Sequence, residues 1–399
     1  MEGLEIQKIL VNNKTKPRNV ELNNDIITDK PGEIINNPDI DLVVELIGGE
    51  TPAYQYIIDC IKNQKSIVTA NKLIIAKHGK EIHELAQKNK VQLNYEGSVA
   101  GGLPIVRPLK ESLAANRISE IYGILNGTTN YILTKMTQEG KDFKEVLKEA
   151  QEKGYAERDP SSDISGQDAA YKISILSSIA FETFVNVNSV YAEGINQISL
   201  ADINLAEELG YVIKLMAIGK KYDDGLDIRV HPTFIPKNHP LALVNDVYNA
   251  VYLHGDAVGD VMSYGKGAGQ MPTGSAVVAD IIQAAKDIYH DRSETYQIDS
   301  YLDTNLKNIE EIENRFYLRI HVNDEPGVMA KVTKVLGDRK VSLASVLQKH
   351  RLNEVVPLVL ITHPVKEKYV NDSLKKLKEL EDVIEINSVI RVEEESKSS

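Results

Sequence analysis

Hydrophobic and polar positions follow two regimes along this chain. In the first hundred residues, short apolar runs alternate with amphipathic stretches. IQKILVN (5–11) reads as a strand, and DIDLVVELIGG (39–49) as a near-continuous apolar strand ending in two glycines. Continuous apolar strands suit a parallel sheet covered on both faces. Thr51 as N-cap and Pro52 at the first helical position predict a helix over YQYIIDCIKNQ. A strand SIVTA, the turn Asn71-Lys72, a helix from Ile74 to Lys90 and a strand VQLNYE follow. This alternation predicts a right-handed parallel α/β sheet, whose ligands sit at the carboxyl ends of the strands. Gly48, Gly49, Thr69, Asn71, Lys72 and Glu96 fall at those ends. For Lys72 a solvated turn lysine is an equally weighted reading.

From Pro104 onward the pattern changes. IVRPLKESLA reads as a helix, and ISEIYGILNG as a strand ending in Asn126-Gly127-Thr128-Thr129-Asn130, with Asn130 capping the helix YILTKMTQ. The spacing predicts further helices over FKEVLKEAQEK and 201–218, and strands over 226–235 and 248–262. These make an α+β domain over 105–290, with 263–290 returning to a dinucleotide-type domain at 1–104. Gly265-Lys266-Gly267-Ala268-Gly269 precedes the helix SAVVADIIQAAKDI. A glycine-rich loop at a helix start can hold an anion, but this one does not follow the first strand of a βαβ unit. Residues 291–313 read as a polar, acidic linker. From 313 to 395 the order is βαββαβ, a ferredoxin-like sandwich, and the tail EEESKSS reads as disordered.

The densest polar chemistry lies in KGYAERDPSSDISGQDAAYK (153–172). Gly154 reads as the stop of the preceding helix and Ser165 as the N-cap of the next. Asp168 and Lys172 stand at i,i+4 on a helix that runs into ISILSSIAF. One reading is a capped helix with an Asp168–Lys172 pair on its half-buried first turns, stabilising by a few tenths of a kcal/mol. The other is a polar substrate site with a lysine whose proton can be used. In YEGSVAGGLP (95–104), three glycines within six residues free the backbone for a tight turn, or to point carbonyls at a cation.

Composition narrows the classes. The 399 residues allow two or three domains, and 42% hydrophobic with 26% charged residues is ordinary for a soluble globular protein. A net charge of −12 with mixed signs argues against nucleic-acid binding. The single cysteine, Cys60, excludes a disulfide framework within the chain and points to a reducing compartment. No apolar run approaches the roughly 20 residues of a membrane span. A cytoplasmic protein with small-molecule chemistry is the expectation.

VVELIGG (43–49), TANK (69–72), YEGSVAGGLPIV (95–106), GILNGTTNYI (123–132), GYAERDPSSDISGQDAAYK (154–172) and GKGAGQMPTGSAV (265–277), in this order, resemble homoserine dehydrogenase. NDEPGVMAKVTKVLG (323–337) followed by VSLASVLQ (341–348) resembles an ACT domain. The resemblance implies hydride transfer between NADP or NAD and L-aspartate 4-semialdehyde, with L-homoserine as the alcohol. It implies Lys172 as proton donor to the carbonyl oxygen and Lys72 between nicotinamide and substrate. Glu157 and Asp168 would hold the substrate, with Asp163 nearby and Thr128 in the same set. Gly48, Gly49, Thr69, Lys72, Gly154 and Gly269 would meet the cofactor. Glu96 and the carbonyls of Val99, Gly101 and Leu103 would hold a monovalent cation, sodium or potassium. The ACT domain would bind an amino acid, threonine being the expected effector. A homodimer or homotetramer is the expected assembly.

The resemblance also carries a departure. The family begins with a strand, a G-x-G-x-x-G turn and a helix before the strand that stands here at IQKILVN. This opening, on the order of 30 residues, is not seen. A start assigned too late, a truncated fragment and a chain that has lost tight cofactor binding are the three explanations, the first being favoured. The expectation is an α/β protein with a truncated Rossmann-type domain, weak NAD(P) binding and reduced stability. Asn12, Asn13, Lys14, Lys16 and Arg18 follow the strand with no acid to hold a ribose 2′-hydroxyl, which leans towards NADP. A catalytically impaired, amino-acid-binding regulatory protein is the competing function.

Overall fold

The computed structural model describes residues 3–291, 304–348 and 355–393. The chain opens with strands β1 (Ile9–Leu10) and β2 (Ile27–Thr28), the one-turn helix α1 (Gly32–Ile35) and strand β3 (Leu42–Glu45). Helix α2 (Ala53–Lys62), strand β4 (Ser66–Thr69), helix α3 (Lys72–Asn89) and strand β5 (Leu93–Asn94) follow. Strand β6 (Ile118–Ile124) leads into α4 (Gly127–Glu139), α5 (Phe143–Glu152), the single turn α6 (Ser161–Ile164) and α7 (Gln167–Ala180). Next come β7 (Tyr191–Ala192), α8 (Leu200–Glu208), β8 (Tyr211–Tyr222), β9 (Gly225–Pro236), β10 (Tyr248–Gly255) and β11 (Gly259–Lys266). Helix α9 (Gln270–Tyr289) precedes β12 (Glu313–Asn323), α10 (Val328–Asp338), β13 (Leu343–Gln348), β14 (Val355–Thr362), β15 (Val365–Lys366), α11 (Glu367–Leu377) and β16 (Val383–Val392).

By spatial contact the chain forms two compact units. One holds the chain up to Ala115, Ser174–Val187 and the segment from Lys266 through α9; the other holds Asn116–Ile173, Asn188–Gly265 and the chain from Thr304. In the first unit β3, β4 and β5 pair in parallel, and β1 pairs in parallel with β2. The single sheet expected from the sequence is thus in two pieces, with no ladder joining β1–β2 to β3 among the described residues. Val44 (37% exposed), Leu46 (62%) and Ile47 (50%) stay open to solvent beside β3. Helix α9 covers β3 and β4 by packing Val277, Ala284 and Ile281 against Leu42, Val68 and Ala70. Helix α2 starts one residue later than expected: Pro52, not Thr51, stands at the N-cap and makes no side-chain cap. The helix expected from Ile105 to Ala114 shrinks to a π-type turn, Pro108–Ser112. The helix expected from Ser275 begins earlier, at Gln270.

In the second unit one sheet runs β11-β10-β6-β8-β9-β16-β12-β14-β13, with β7 beside β9 and β15 beside β12. The last group has the βαββαβ connectivity and the strand order β16-β12-β14-β13 of a ferredoxin-like sandwich. Its apolar side packs Leu318, Ile320, Val332, Leu336, Leu358 and Val370 into one core. It is not a separate body: β16 pairs in parallel with β9 through Arg391↔Thr233 and Val392↔Phe234.

Three sequence expectations fail here for local reasons. The helix expected over 201–218 ends at Glu208, because Gly210 takes φ +85°, and the β-branched run after it forms β8. The strand expected over 248–262 is a hairpin, turned before Gly259 at φ +70°. The residue capping α4 is Asn126, whose side chain accepts from Thr129 N; Asn130 is buried and donates to the carbonyls of Val244, Asp246 and Tyr248. Of the expected linker, residues 292–303 lie outside the described residues. Its end is docked: Leu226 N donates to Asn305 O (2.9 Å) and Lys307 N to Leu226 O (2.7 Å). The tail beyond Glu393 also lies outside.

Candidate active site

The second unit gathers its acids around one asparagine. Asn126 ends the loop after β6 and caps α4 through its side-chain oxygen (2.8 Å from Thr129 N). Its amide nitrogen is thereby turned outward and donates to Asp163 Oδ1 (2.7 Å) and Asp168 Oδ2 (2.9 Å). Asp168 sits in the first turn of α7, where the helix end favours its negative charge. One turn on, Lys172 Nζ donates to Asp168 Oδ2 (2.7 Å) and to Leu125 O (2.6 Å). Both are buried, Asp168 at 3% and Lys172 at 8% exposure. The helix-start ion pair is therefore present and buried, and a buried pair is far more costly to break from one side than a surface bridge. Instead of Ser165, Gly166 at φ +83° stands directly before α7, and Ser165 closes the turn α6.

The remaining predicted substrate residues surround this cluster unevenly. Glu157 is exposed, and its carboxylate makes no hydrogen bond or ion pair among the described residues. Asp163 is half-buried. Asp159 accepts from the Ser161 amide and hydroxyl, which hold its carboxyl below the usual range; it is a loop acid. Thr128 donates its hydroxyl to Tyr155 O (2.8 Å) and so anchors the turn after α5, where Gly154 takes φ +73°. Sequence reasoning passed over Asn126 as a site residue. An asparagine at a strand end followed by Gly-Thr-Thr is an N-cap signal that would have found its position.

In the first unit the strand ends are tied by a buried glutamate that the sequence hid in an apolar run. Glu45 Oε1 accepts from Ile47 N (2.8 Å) and Gly48 N (3.2 Å), and Oε2 from the Thr69 hydroxyl (2.6 Å). Thr69 Oγ1 accepts from Asn71 N (2.9 Å), and Asn71 Nδ2 donates to Gly49 O (2.8 Å). Gly48 and Gly49 take φ +75° and +70°, and a Cβ at either would meet open space. The backbone there is bent and uncovered, as a close ligand approach requires. Asn71 also caps α3, placing Lys72 at its first position. Gly269 takes φ +119° at the start of α9. Of the basic residues after β1, Arg18 folds back onto the carbonyls of Asn13, Lys14 and Lys16, and Lys14 pairs with Asp29 (3.2 Å).

The loop from Glu96 to Leu103 is fitted without slack. A Cβ on Gly101 would lie 2.6 Å from Gly267 O, and one on Gly102 2.6 Å from Pro272 Cβ. The Glu96 carboxylate is fully engaged: Oε1 accepts from Ile105 N (2.7 Å) and Val106 N (2.9 Å), Oε2 from Arg107 N (2.7 Å). Asp280 on α9 holds the other side, accepting from Glu96 N (2.8 Å) and Arg107 Nη2 (2.9 Å). Burial pushes Asp280 up to about 6, and Lys110, lying 3.9 Å over the Tyr95 ring, down to about 8. Val99, Gly101 and Leu103 are buried, and no donor reaches their carbonyl oxygens among the described residues.

The first unit is a parallel α/β domain with open glycine turns at a strand end, and the second is an α+β domain that closes in a ferredoxin-like group. The family profile "Homoserine dehydrogenase, NAD binding domain" matches residues 2–96, "Homoserine dehydrogenase" matches 104–282, and "ACT domain" matches 316–382. The homoserine dehydrogenase of Synechocystis is 46% identical over 98% of this chain and 93% of its own length; that of Bacillus subtilis is 41% identical over 97% and 90%. A crystal structure of a homoserine dehydrogenase from Thiobacillus denitrificans superposes with a TM-score of 0.89 at 43% identity, covering 92% of this chain and 85% of that one. A hyperthermophilic archaeal homoserine dehydrogenase in complex with NADPH gives 0.58 at 30% identity, covering 66% and 76%. The chain belongs to the homoserine dehydrogenase family. It is an NAD(P)-dependent oxidoreductase that interconverts L-aspartate 4-semialdehyde and L-homoserine in threonine and methionine biosynthesis, and its ACT domain provides for an amino-acid effector. With the NAD-binding and catalytic portions both matched, the reading as a silent regulatory protein is not favoured. Among the described residues no helix is long and apolar enough to cross a membrane.

Proposed function

We propose that Lys172 exchanges the proton at the substrate oxygen, inside a carboxylate cluster that orients the amino acid. The observation that carries this is the buried Asp168–Lys172 pair at 2.7 Å, fixed at the start of α7 and bridged by Asn126 to Asp163. The nicotinamide cofactor, when bound, supplies or accepts the hydride at C4 of the substrate. Hydride addition to an aldehyde leaves an alkoxide, and an ammonium beside it can give the proton and offset the charge. Asp168 aims the Lys172 amine; in the alcohol-to-aldehyde direction that amine, when neutral, takes the hydroxyl proton. Glu157, with its uncommitted carboxylate, and Asp163 suit the substrate ammonium. Thr128 serves the site by tethering the Gly154–Tyr155 turn.

For the cofactor we assign Gly48, Gly49, Thr69, Lys72, Gly154 and Gly269; the open space at Gly48 and Gly49 supports this. Lys72 is the second catalytic lysine. NADP is the preferred nucleotide, with Lys16 left for a ribose phosphate now that Arg18 and Lys14 have partners of their own. Buried carbonyls without donors at Val99, Gly101 and Leu103 suit a monovalent cation, sodium or potassium. Glu96 contributes its charge from behind, its oxygens being held by backbone amides. Threonine is the ACT effector, and the assembly is a homodimer or homotetramer. The test is homoserine-dependent reduction of NADP by the full chain, with Lys172→Ala beside it. A loss of at least roughly a hundredfold in kcat is expected; turnover equal to the parent would refute the assignment.

A further inference from the structure

We infer that Glu193 and Arg391 are positioning residues for the substrate-binding acids Asp163 and Asp168, tying the last strand of the ACT domain to the turn that carries them. This rests on the assignment of those two acids to the substrate. Arg391 stands where β16 meets β9, and its side chain is 7% exposed. Its Nη1 donates to Glu193 Oε2 (2.7 Å) and its Nη2 to the Tyr191 hydroxyl (3.1 Å). The rest of the guanidinium is held by Glu367 on α11, with Nε donating to Oε2 at 2.9 Å. The Tyr191 hydroxyl in turn donates to Glu193 Oε2 (2.9 Å), and the guanidinium lies 4.9 Å over the Tyr191 ring. One oxygen of the Glu193 carboxylate is thus held from the ACT side by an Arg391 N–H and by the Tyr191 hydroxyl.

Behind that carboxylate the contact becomes backbone on backbone. Glu193 N donates to Val230 O (2.8 Å), so the β7–β9 pairing continues for one more residue. A Cβ on the next residue, Gly194, would lie 2.0 Å from Ile164 O and 2.7 Å from Ser165 Cα. Ile195 N donates to that same Ile164 oxygen (2.9 Å). From the other side, a Cβ on Gly166 would come 3.1 Å from Glu193 O. Residues 193–195 therefore press directly on 164–166, with no side chain between them to absorb a shift. Asp163 precedes this segment, and its carbonyl accepts from Gly166 N (3.1 Å); Asp168 follows in the first turn of α7. A displacement of Glu193 relative to Arg391 moves 164–166 with it, and so moves the two acids that Asn126 bridges.

The test uses the full chain with Glu193→Gln, Arg391→Lys, their double variant and Gly194→Ala. Homoserine KM, NADP KM and kcat are measured with homoserine binding by calorimetry, at a temperature where circular dichroism shows each variant folded. Homoserine KM and Kd should rise roughly three- to thirtyfold with NADP KM unchanged. The double variant should be no worse than the more affected single one, because either change opens the same joint. A role in stability alone would lower Tm and leave homoserine constants where they are, which would overturn the inference. Additive losses in the double variant, or an equal rise in NADP KM, would overturn it too. Glu193→Gln is isosteric on a side chain 37% exposed and carries the test if Gly194→Ala does not fold. If Asp168→Asn leaves homoserine handling intact, the site assignment itself has failed. If Asp168→Asn impairs it while the Glu193 and Arg391 variants do not, only the coupling has failed.

Discussion

Replacing Lys172 by methionine removes one ammonium from a place that water barely reaches. Methionine keeps the unbranched apolar stem, so little volume is lost. The donors to Asp168 Oδ2 at 2.7 Å and Leu125 O at 2.6 Å are lost outright. Asp168, 3% exposed, is left with its charge, the Asn126 amide at 2.9 Å and the start of α7. Breaking a buried ion pair from one side costs about 3–5 kcal/mol. The helix-end field offsets about 1–2 kcal/mol of that. The variant should therefore be about 1–4 kcal/mol less stable than the parent at neutral pH, by subtraction of those two ranges. Losing the ammonium disfavours the carboxylate relative to the neutral acid, so the penalty is present at neutral pH and fades as pH falls. Removing both charges with Lys172→Met and Asp168→Asn should recover most of the loss. Urea denaturation followed by circular dichroism at about pH 7.5 and about pH 5 reads all three quantities. A single variant as stable as the parent at both pH values, or a double variant less stable than the single, would show that Asp168 does not depend on Lys172.

Asn126→Ala should cost about 1 kcal/mol through the lost cap of α4 and should also raise homoserine KM, whereas Asn126→Ser should regain the cap and keep the high KM; a KM that follows stability would refute the bridging role. Glu45→Gln removes the charge that holds Ile47 N, Gly48 N and the Thr69 hydroxyl, and should weaken NADP binding roughly three- to tenfold in a fluorescence titration; an unchanged Kd would show that the Gly48-Gly49 turn holds its shape without it. Burial pushes Lys214 from 10.5 down to about 8, so its contribution to stability is present above the unfolded pKa and is lost as pH falls through the folded one. Over that window the parent should gain up to about 3 kcal/mol that Lys214→Met does not; equal pH slopes in chemical denaturation would refute it.

The ferredoxin-like unit was the most legible part of the fold. Each of its strands and helices is bounded by Gly, Pro or charge, as at Asn323-Asp324-Glu325-Pro326-Gly327, and strand and helix periods do not blur there. The run 201–222 was illegible because its apolar spacing suits both a helix and a strand; only the positive φ of Gly210 separates α8 from β8. For the site, the stretch 153–172 announced its acids and its lysine. What could not be read was burial. Asp168–Lys172 has the spacing of an exposed i,i+4 pair, and only its burial beside Leu125 and Asn126, between β6 and α4, makes the pair costly to break. Glu45 was hidden for the converse reason: one acid in VVELIGG looks like an accident until Ile47, Gly48 and Thr69 are seen to converge on it. Asn126 and Glu193 act across 37 and 198 residues of chain respectively, on Asp163 and Arg391, and local spacing carries no trace of such partners.

The ACT domain's place in this sheet bears on how an effector could act. Two ladder residues of β16 against β9 would by themselves make a hinge. Two buried charged joints, set apart from one another, stop it from turning. At the first, Arg229 on β9, 1% exposed, meets Asp227, Glu393 Oε1 (3.1 Å) and Asn314 Oδ1 (2.9 Å), the last on β12. At the second, Arg319 on β12 donates to Asp202 on α8 at 2.9 and 3.1 Å and to Ser199 at 3.0 Å, and Tyr317 donates to the same aspartate. Asp202 is itself locked in the capping box that starts α8. Buried ions are costly unless every partner stays in place, so sliding the two portions apart would strand a guanidinium or a carboxylate at each joint. Between the joints the buried Phe234 and Tyr317 rings stack at 4.6 Å, and the charged pairs fix the register of that apolar contact. A displacement within the ACT strands would meet β9 and α8 at these paired residues. Arg391, on the strand that meets β9, is placed to pass that displacement to Glu193.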